Sequence, residues 1–226
     1  ISTASMAKAK EESKKLRSLN FHHCLNINGE TMGLLETVPI RHASFDGSDI
    51  DDSGIAAIGK IKSIKELDLS LTAGYRAESL ENLGKLNLST LKLRGTNVRT
   101  KNLLQILPQS NLILLDLEGC KRIDDLAIAS LPSNCPLLIE LNIGHTAVTS
   151  AALPHLAKLK NLEHLSLNRF AKRGDLVTAL LALKHLKVLD LVLTPISSKE
   201  LERLLNNSQI SQISVTAAPD QPSAVI

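Results

Sequence analysis

Apolar residues return along this chain on two alternating periods. Leucine or isoleucine opens a segment at Leu16, Ile40, Ile64, Leu88, Leu112, Leu138, Leu162, Leu186 and Ile210, so a 24-residue repeat recurs nine times, with one copy lengthened to 26. Each copy begins with a nine-residue signature, such as IKELDLSLT from Ile64 or LKVLDLVLT from Leu186, that is apolar at its first, fourth and sixth positions. Alternation at the fourth and sixth positions predicts a short strand with one buried face, and same-sense strands stacked at a fixed interval predict a parallel sheet without hairpins. The expected buried ladder comprises Leu67, Leu69, Leu91, Leu93, Leu115, Leu117, Leu141, Ile143, Leu165, Leu167, Leu189 and Leu191.

In the second half of each repeat an apolar residue returns (Ile50, Val98, Val148, Ile196) and the spacing then widens to three or four. Helices are predicted there, with inward faces formed by Ile55, Ile58 and Ile61, by Leu80, Leu83 and Leu86, by Leu153, Leu156 and Leu159, and by Leu201 and Leu204. Asp51 and Asp52, Thr100, Asp124 and Asp125, Thr149 and Ser150, and Ser197 and Ser198 supply helix-start chemistry.

A strand followed by a helix at this period resembles the leucine-rich repeat, and the helical second half is similar to its ribonuclease-inhibitor-like and cysteine-containing subclasses. The closest stretch is residues 114–146, where Cys120, Ile123, Asp124, Asp125, Leu126 and the Cys135-Pro136 pair match the cysteine-containing repeat of F-box substrate receptors. Elsewhere the asparagine-or-cysteine position holds Ser48, Thr72, Thr96, Thr146, Phe170, Thr194 and Ala218. The resemblance implies an α/β solenoid, a curved right-handed superhelix with a concave parallel sheet and convex helices. It also implies a non-enzymatic module that binds another protein, either as the substrate-recognition part of an F-box ubiquitin ligase subunit or as the repeat domain of a host-directed bacterial effector with a catalytic region elsewhere.

An uninterrupted period argues for one elongated domain over residues 16–218, preceded by a helical cap or partial repeat at 1–15 and followed by a tail at 219–226. With 43% hydrophobic and 2% aromatic residues, the core is expected to be aliphatic. Cys24, Cys120 and Cys135 are an odd number in a chain without paired-cysteine caps, so reduced, packed thiols and a cytoplasmic setting are expected, the host cytoplasm for an effector. No apolar run is long enough to span a membrane, and the opening residues start without methionine and lack the apolar stretch of a signal peptide, which suggests a fragment or processed chain.

Positions 3, 5 and 7 of each repeat alternate with the buried ladder and form the outward, concave face. Equivalent residues in nine strands spaced about 4.8 Å apart make columns of about 40 Å. Glu66, Asp68, Asp116, Glu118 and Glu140 surround the basic pair Lys92 and Arg94, and Asn142, His164 and Asp190 continue the polar columns. This is either a mixed-charge recognition site or an ordinary solvated sheet. Ile113, Leu114 and Ile139, and farther along Val188, Val192 and Leu193, add candidate aliphatic anchors, and Ile113 and Ile139 are expected to touch.

Arg17, Arg41 and Lys65 would stack as a basic rim, but a net charge of +3 without nearby aromatics disfavours nucleic acid. A second basic cluster, Arg169, Lys172 and Arg173, flanks Phe170, which is expected to fill a loop interior. His22 and His42 fall at opposite ends of adjacent strands, about 13 Å apart along the strand direction, so no metal or cofactor site is expected. Neither CxxC, HExxH nor a phosphate loop is present. The reading is a monomeric, preorganised protein-binding surface.

Overall fold

Leu67 and Leu69, the inward pair of one repeat signature, are 1% and 0% exposed, and the whole predicted ladder is buried with them. The structure is a computed structural model that describes residues 15–109, 111–170, 175–207 and 209–216. The expected cap (apart from Lys15) and the expected tail lie outside these residues. Two compact bodies, Ile1–Leu112 and Ile113–Ile226, are described in turn.

In the first body β1 (Ser18–Asn20), β2 (His42–Ser44), β3 (Glu66–Asp68) and β4 (Thr90–Lys92) pair in parallel and in chain order. Their register is the repeat itself, as in Leu67 opposite Leu91. The second body repeats this with β5 (Leu114–Asp116), β6 (Glu140–Asn142), β7 (His164–Ser166), β8 (Val188–Leu191) and β9 (Gln212–Val215). Burying each such leucine contributes about 1.5–3 kcal/mol. The aliphatic core has an aromatic exception: Phe21 and Phe45 occupy the sixth position of the first two repeats and stack at 5.3 Å between ring centroids. Tyr75 and Phe170 are also buried, so none of the chain's four aromatic rings is left for the surface.

The second halves are helical as expected but short. Among the described residues the α-helices run from Gly29–Gly33 to Ser198–Leu205, the longest being Asp125–Asn134, and Ala77–Lys85 is a 3₁₀ helix. Leu80, Leu83 and Leu86 are spaced by three, as are Ile55, Ile58 and Ile61 along and just after the α-helix Asp52–Ile58, so this spacing serves either helix form. Asp51, Asp124, Thr149 and Ser197 are N-caps whose side chains accept main-chain N–H groups, and Ser197 forms a capping box with Glu200. Thr100 is instead the buried first residue of its helix, after an uncapped Arg99. Ile196 and Leu201 are only half-buried, unlike their counterparts in earlier repeats.

Two rows outside the strands hold the turns. Position 8 of the first eight repeats (His23, Gly47, Leu71, Gly95, Gly119, His145, Arg169 and Leu193) is left-handed, with φ between 51° and 74°. Glycine adopts this conformation without strain, and a Cβ on Gly95 would meet Leu71 Cδ2 at 2.6 Å, so the exposed leucine would have to shift. Position 9 supplies hydroxyls where the resembling subclass has asparagine or cysteine. Thr96 and Thr146 donate at 2.7 Å to the carbonyls of Leu93 and Ile143 in their own repeats. At Cys24 and Phe170, though not at Cys120, a repeat without a hydroxyl is served by the hydroxyl of the next repeat. Ser48 then serves Phe21 O and Cys24 N, and Thr194 serves Leu167 O and Phe170 N. Cys120 and Cys135 are buried and Cys24 half-buried, all as free thiols.

Candidate functional site

The outward face of the first body pairs many of its polar side chains with one another. Asn20, His42, Ser44, Glu66, Asp68 and Lys92 line a shallow cleft of about 230 Å³ across β1–β4. His42 Nδ1 lies 2.8 Å from Glu66 Oε2, and His22 Nδ1 lies 3.3 Å from Asp46 Oδ2. Asp68 is the register partner of Lys92, and Asp68 Oδ1 also accepts the main-chain N–H of Ser70 at 2.9 Å. Position 5 therefore has a structural duty that the sequence reading did not assign: Asn20 and Asp68 hold the chain as it leaves the strand. Arg94 is exposed at the end of its column.

In the second body the same duty falls on Asp116 and Asn142, which accept the N–H groups of Glu118 and Gly144 at 2.9 and 3.1 Å. Asn142 Nδ2 also donates to Glu118 Oε2 at 3.3 Å. The pattern breaks at β8, where the N–H of Val192 is taken at 2.8 Å by Asn168 Oδ1 from the preceding repeat, not by Asp190. Ser166 stands in register between Asn142 and Asp190. Its Oγ is buried without a hydrogen-bond partner. Leu114, His164, Val188, Asp190 and Val192 are half-buried on this face, and Glu140 is exposed. Neither Ser166 nor Asn168 was singled out in the sequence, because both carry the ordinary polar residue types of an open sheet.

Beside the face, just ahead of the strands, Ile113, Leu137 and Ile139 are 45%, 50% and 37% exposed. They line one groove of about 440 Å³ with Lys160, Asn161, Glu163 and His185. Ile113 and Ile139 come together as their shared repeat position predicts, and the carbonyl of Ile113 accepts the N–H groups of Ile139 and Glu140 at 2.9 Å. Leu137 was missed because it fills the position just before the opening leucine, which neighbouring repeats give to the polar residues Asn111, Asn161 and His185. Leu114, although next to Ile113, lies on the sheet face instead. Lys187 donates to Glu163 at 2.8 Å, and this hydrogen bond holds the Glu163 carboxyl below the usual carboxylate range.

Arg17, Arg41 and Lys65 follow one another along the corresponding edge of the first body, joined through main-chain bonds from Arg41 N to Arg17 O and from Lys65 N to Arg41 O. Lys65 Nζ is engaged by the carbonyl of Asn87 at 3.0 Å. Phe170 fills its loop interior at 3% exposure, whereas Lys172 and Arg173 lie outside the described residues. Among the described residues no three His, Cys, Asp or Glu side chains converge for a metal, and no helix is long and apolar enough to cross a membrane.

No family model matches the chain. Among solved structures it is similar to two internalins of Listeria monocytogenes. One (inlF) superposes with a TM-score of 0.65 at 14% identity, covering 96% of this chain and 70% of that one. The other (inlC2) gives 0.66 at 20% identity, covering 96% and 84%. This likeness is one of fold: an α/β leucine-rich repeat solenoid.

Proposed function

We propose that this leucine-rich repeat chain binds a partner protein through the outward side chains of its parallel strands and the edge beside them, and carries out no chemistry itself. One observation supports the reading above the others. On a scaffold that buries most of its leucines, Ile113, Leu137 and Ile139 remain exposed together around one groove, and grouped aliphatics on a soluble surface mark contact sites. Rigid strands hold these side chains in place before binding, which limits the ordering entropy lost on association.

The test compares the chain with an Ile113→Glu/Ile139→Glu variant in affinity capture from cytosolic extract, followed by titration of the purified captured protein. A partner that binds the parent at least about tenfold more tightly than the variant supports the reading. Equal binding by a normally folded variant removes it. Two finer readings use the same surface. Substrate recognition for an F-box-type ubiquitin ligase is favoured by the repeat at residues 114–146 with its buried Cys120 and Cys135, and co-capture of ligase components by the longer protein would support it. A host-directed bacterial effector would instead capture a host protein without them.

A further inference from the structure

Three neighbouring strands, β6, β7 and β8, carry polar groups for which the fold has no use. Ser166 is 8% exposed, yet its Oγ has no hydrogen-bond partner. Its register partner Asp190 is half-buried, and among the described residues the Asp190 carboxylate joins no hydrogen bond or ion pair, because Asn168 has taken the N–H of Val192. Asp68 and Asp116, at the same repeat position, are committed to that role. A partly buried carboxylate beside an unsatisfied hydroxyl is an unfavourable arrangement for a bare surface and a favourable one for receiving a cationic donor.

The surroundings specify that donor. Positions 3, 5 and 7 of β5–β9 hold Asp116, Glu118, Glu140 and Asp190 and no lysine or arginine, so the face attracts positive charge and repels phosphate. On β8 itself Asp190 is flanked two residues away on each side by Val188 and Val192, both half-buried. Lysine and arginine combine a charged head with a methylene stem that packs on aliphatic side chains. Among the described residues, Lys187 is tied to Glu163 at 2.8 Å at the sheet edge, and Arg169, exposed in the left-handed turn after β7, forms no ion pair with Asp190.

We infer that this patch receives a lysine or arginine side chain of the partner protein: the head bonds the Asp190 carboxylate, the Ser166 hydroxyl turns from its buried position to accept from it, Glu140 adds attraction, and the stem lies on Val188 and Val192. The inference rests on the protein-binding reading above and names the chemistry of the partner.

The experiment selects a random dodecapeptide library displayed on phage against the whole chain, then titrates enriched peptides by calorimetry. Lysine and arginine should be enriched, and a selected peptide should bind Asp190→Asn about tenfold more weakly and lose affinity between about 50 and 500 mM salt. Ser166→Ala is the second variant. It removes a hydroxyl that the fold does not satisfy, so melting should be unchanged or raised while peptide affinity falls about threefold. Selected peptides without basic residues, or basic peptides indifferent to Asp190→Asn, overturn the inference and leave the protein-binding reading standing. No enrichment over a blank support, together with no partner lost by the Ile113→Glu/Ile139→Glu variant, overturns both.

Discussion

Asn168 Oδ1 accepts the main-chain N–H of Val192 at 2.8 Å across β7 and β8, and that bond frees Asp190 from the turn-holding role that Asp68 and Asp116 perform. Asn168→Ala should return Asp190 to that role. The replacement bond limits the loss of stability to within about 1 kcal/mol. Affinity for basic peptides should fall nearly as far as in Asp190→Asn, and calorimetric titration of the two variants side by side checks this. Full affinity in Asn168→Ala would mean that the carboxylate is equally available in either arrangement.

The position-9 hydroxyls make unequal contributions. Thr194 Oγ1 donates to Leu167 O at 2.6 Å and accepts from Phe170 N at 3.0 Å, both in a buried setting. Thr146 makes one good bond, 2.7 Å to Ile143 O, and one long contact of 3.4 Å from Val148 N in a half-buried setting. Thr194→Val removes two buried hydrogen bonds, although Phe170 N and Leu167 O keep their own bond of 3.1 Å, and should cost about 2 kcal/mol, against about 1 kcal/mol for Thr146→Val. Urea denaturation of both variants tests the order, and equal midpoints would contradict it.

Leu71 is a left-handed residue at φ 54° with a side chain 57% exposed, so its backbone is strained while its side chain gains little from burial. Leu71→Gly should stabilise the chain by about 1 kcal/mol, despite the loss of a large aliphatic group. Gly95→Ala should do the reverse, since φ is +67° and the new methyl would meet Leu71 Cδ2 at 2.6 Å. Thermal melting of Leu71→Gly, Gly95→Ala and the double variant reads both effects. The Gly95→Ala penalty should shrink once Leu71 is gone.

These residues show where the sequence was legible. The inward leucines declare themselves because burial acts on every repeat alike, and the 24-residue interval fixes which residues face each other across strands, Ile113 and Ile139 included. What escaped is set by exchanges between repeats. Nothing local to Asp190 distinguishes it from Asp68; the difference lies in Asn168, 22 residues earlier, taking over a bond. Ser48 and Thr194 likewise look like ordinary small polar residues until Cys24 and Phe170 are seen to lack the hydroxyl that each must replace. The spacing of three in Leu80, Leu83 and Leu86 was visible, but a 3₁₀ segment and a short α-helix present the same buried face.

Acid should weaken the fold through carboxylates held below their ordinary range. The main-chain N–H of Arg76 lowers the Asp52 carboxyl most, with Ser79 and the Arg76 guanidinium helping, and the hydrogen bond from Lys187 lowers Glu163. In each case the folded pKa lies below the unfolded one, so the unfolded chain binds protons first as pH falls. Their stabilisation is complete above the usual carboxylate values of about 4 and is lost as pH drops through that range towards the folded values. The urea midpoint should therefore hold from about pH 7 to about pH 5 and decline below. Asp52→Asn should show a shallower decline, and an unchanged slope would remove Asp52 from the account.

Lys92 and Arg94 are the only lysine or arginine residues at positions 3, 5 and 7 of any repeat from β1 to β9, which makes their reversal a test of how a partner uses the first body. Lys92→Glu places a second negative charge opposite Asp68, its register partner, but Lys92 is half-buried at most and Arg94 is exposed. Cross-strand charge pairs in such settings are worth about 0.2–1 kcal/mol, so the double variant Lys92→Glu/Arg94→Glu should fold with only a small drop in melting temperature. If a partner carboxylate docks on this pair, affinity for the whole partner protein should fall about tenfold. The short basic peptides selected for the Asp190 patch should bind the double variant as they bind the parent, since neither substituted residue belongs to that patch. Loss of both activities together would mean that the substitutions act through folding, which the melting curve would show. Retention of both would confine recognition to the second body.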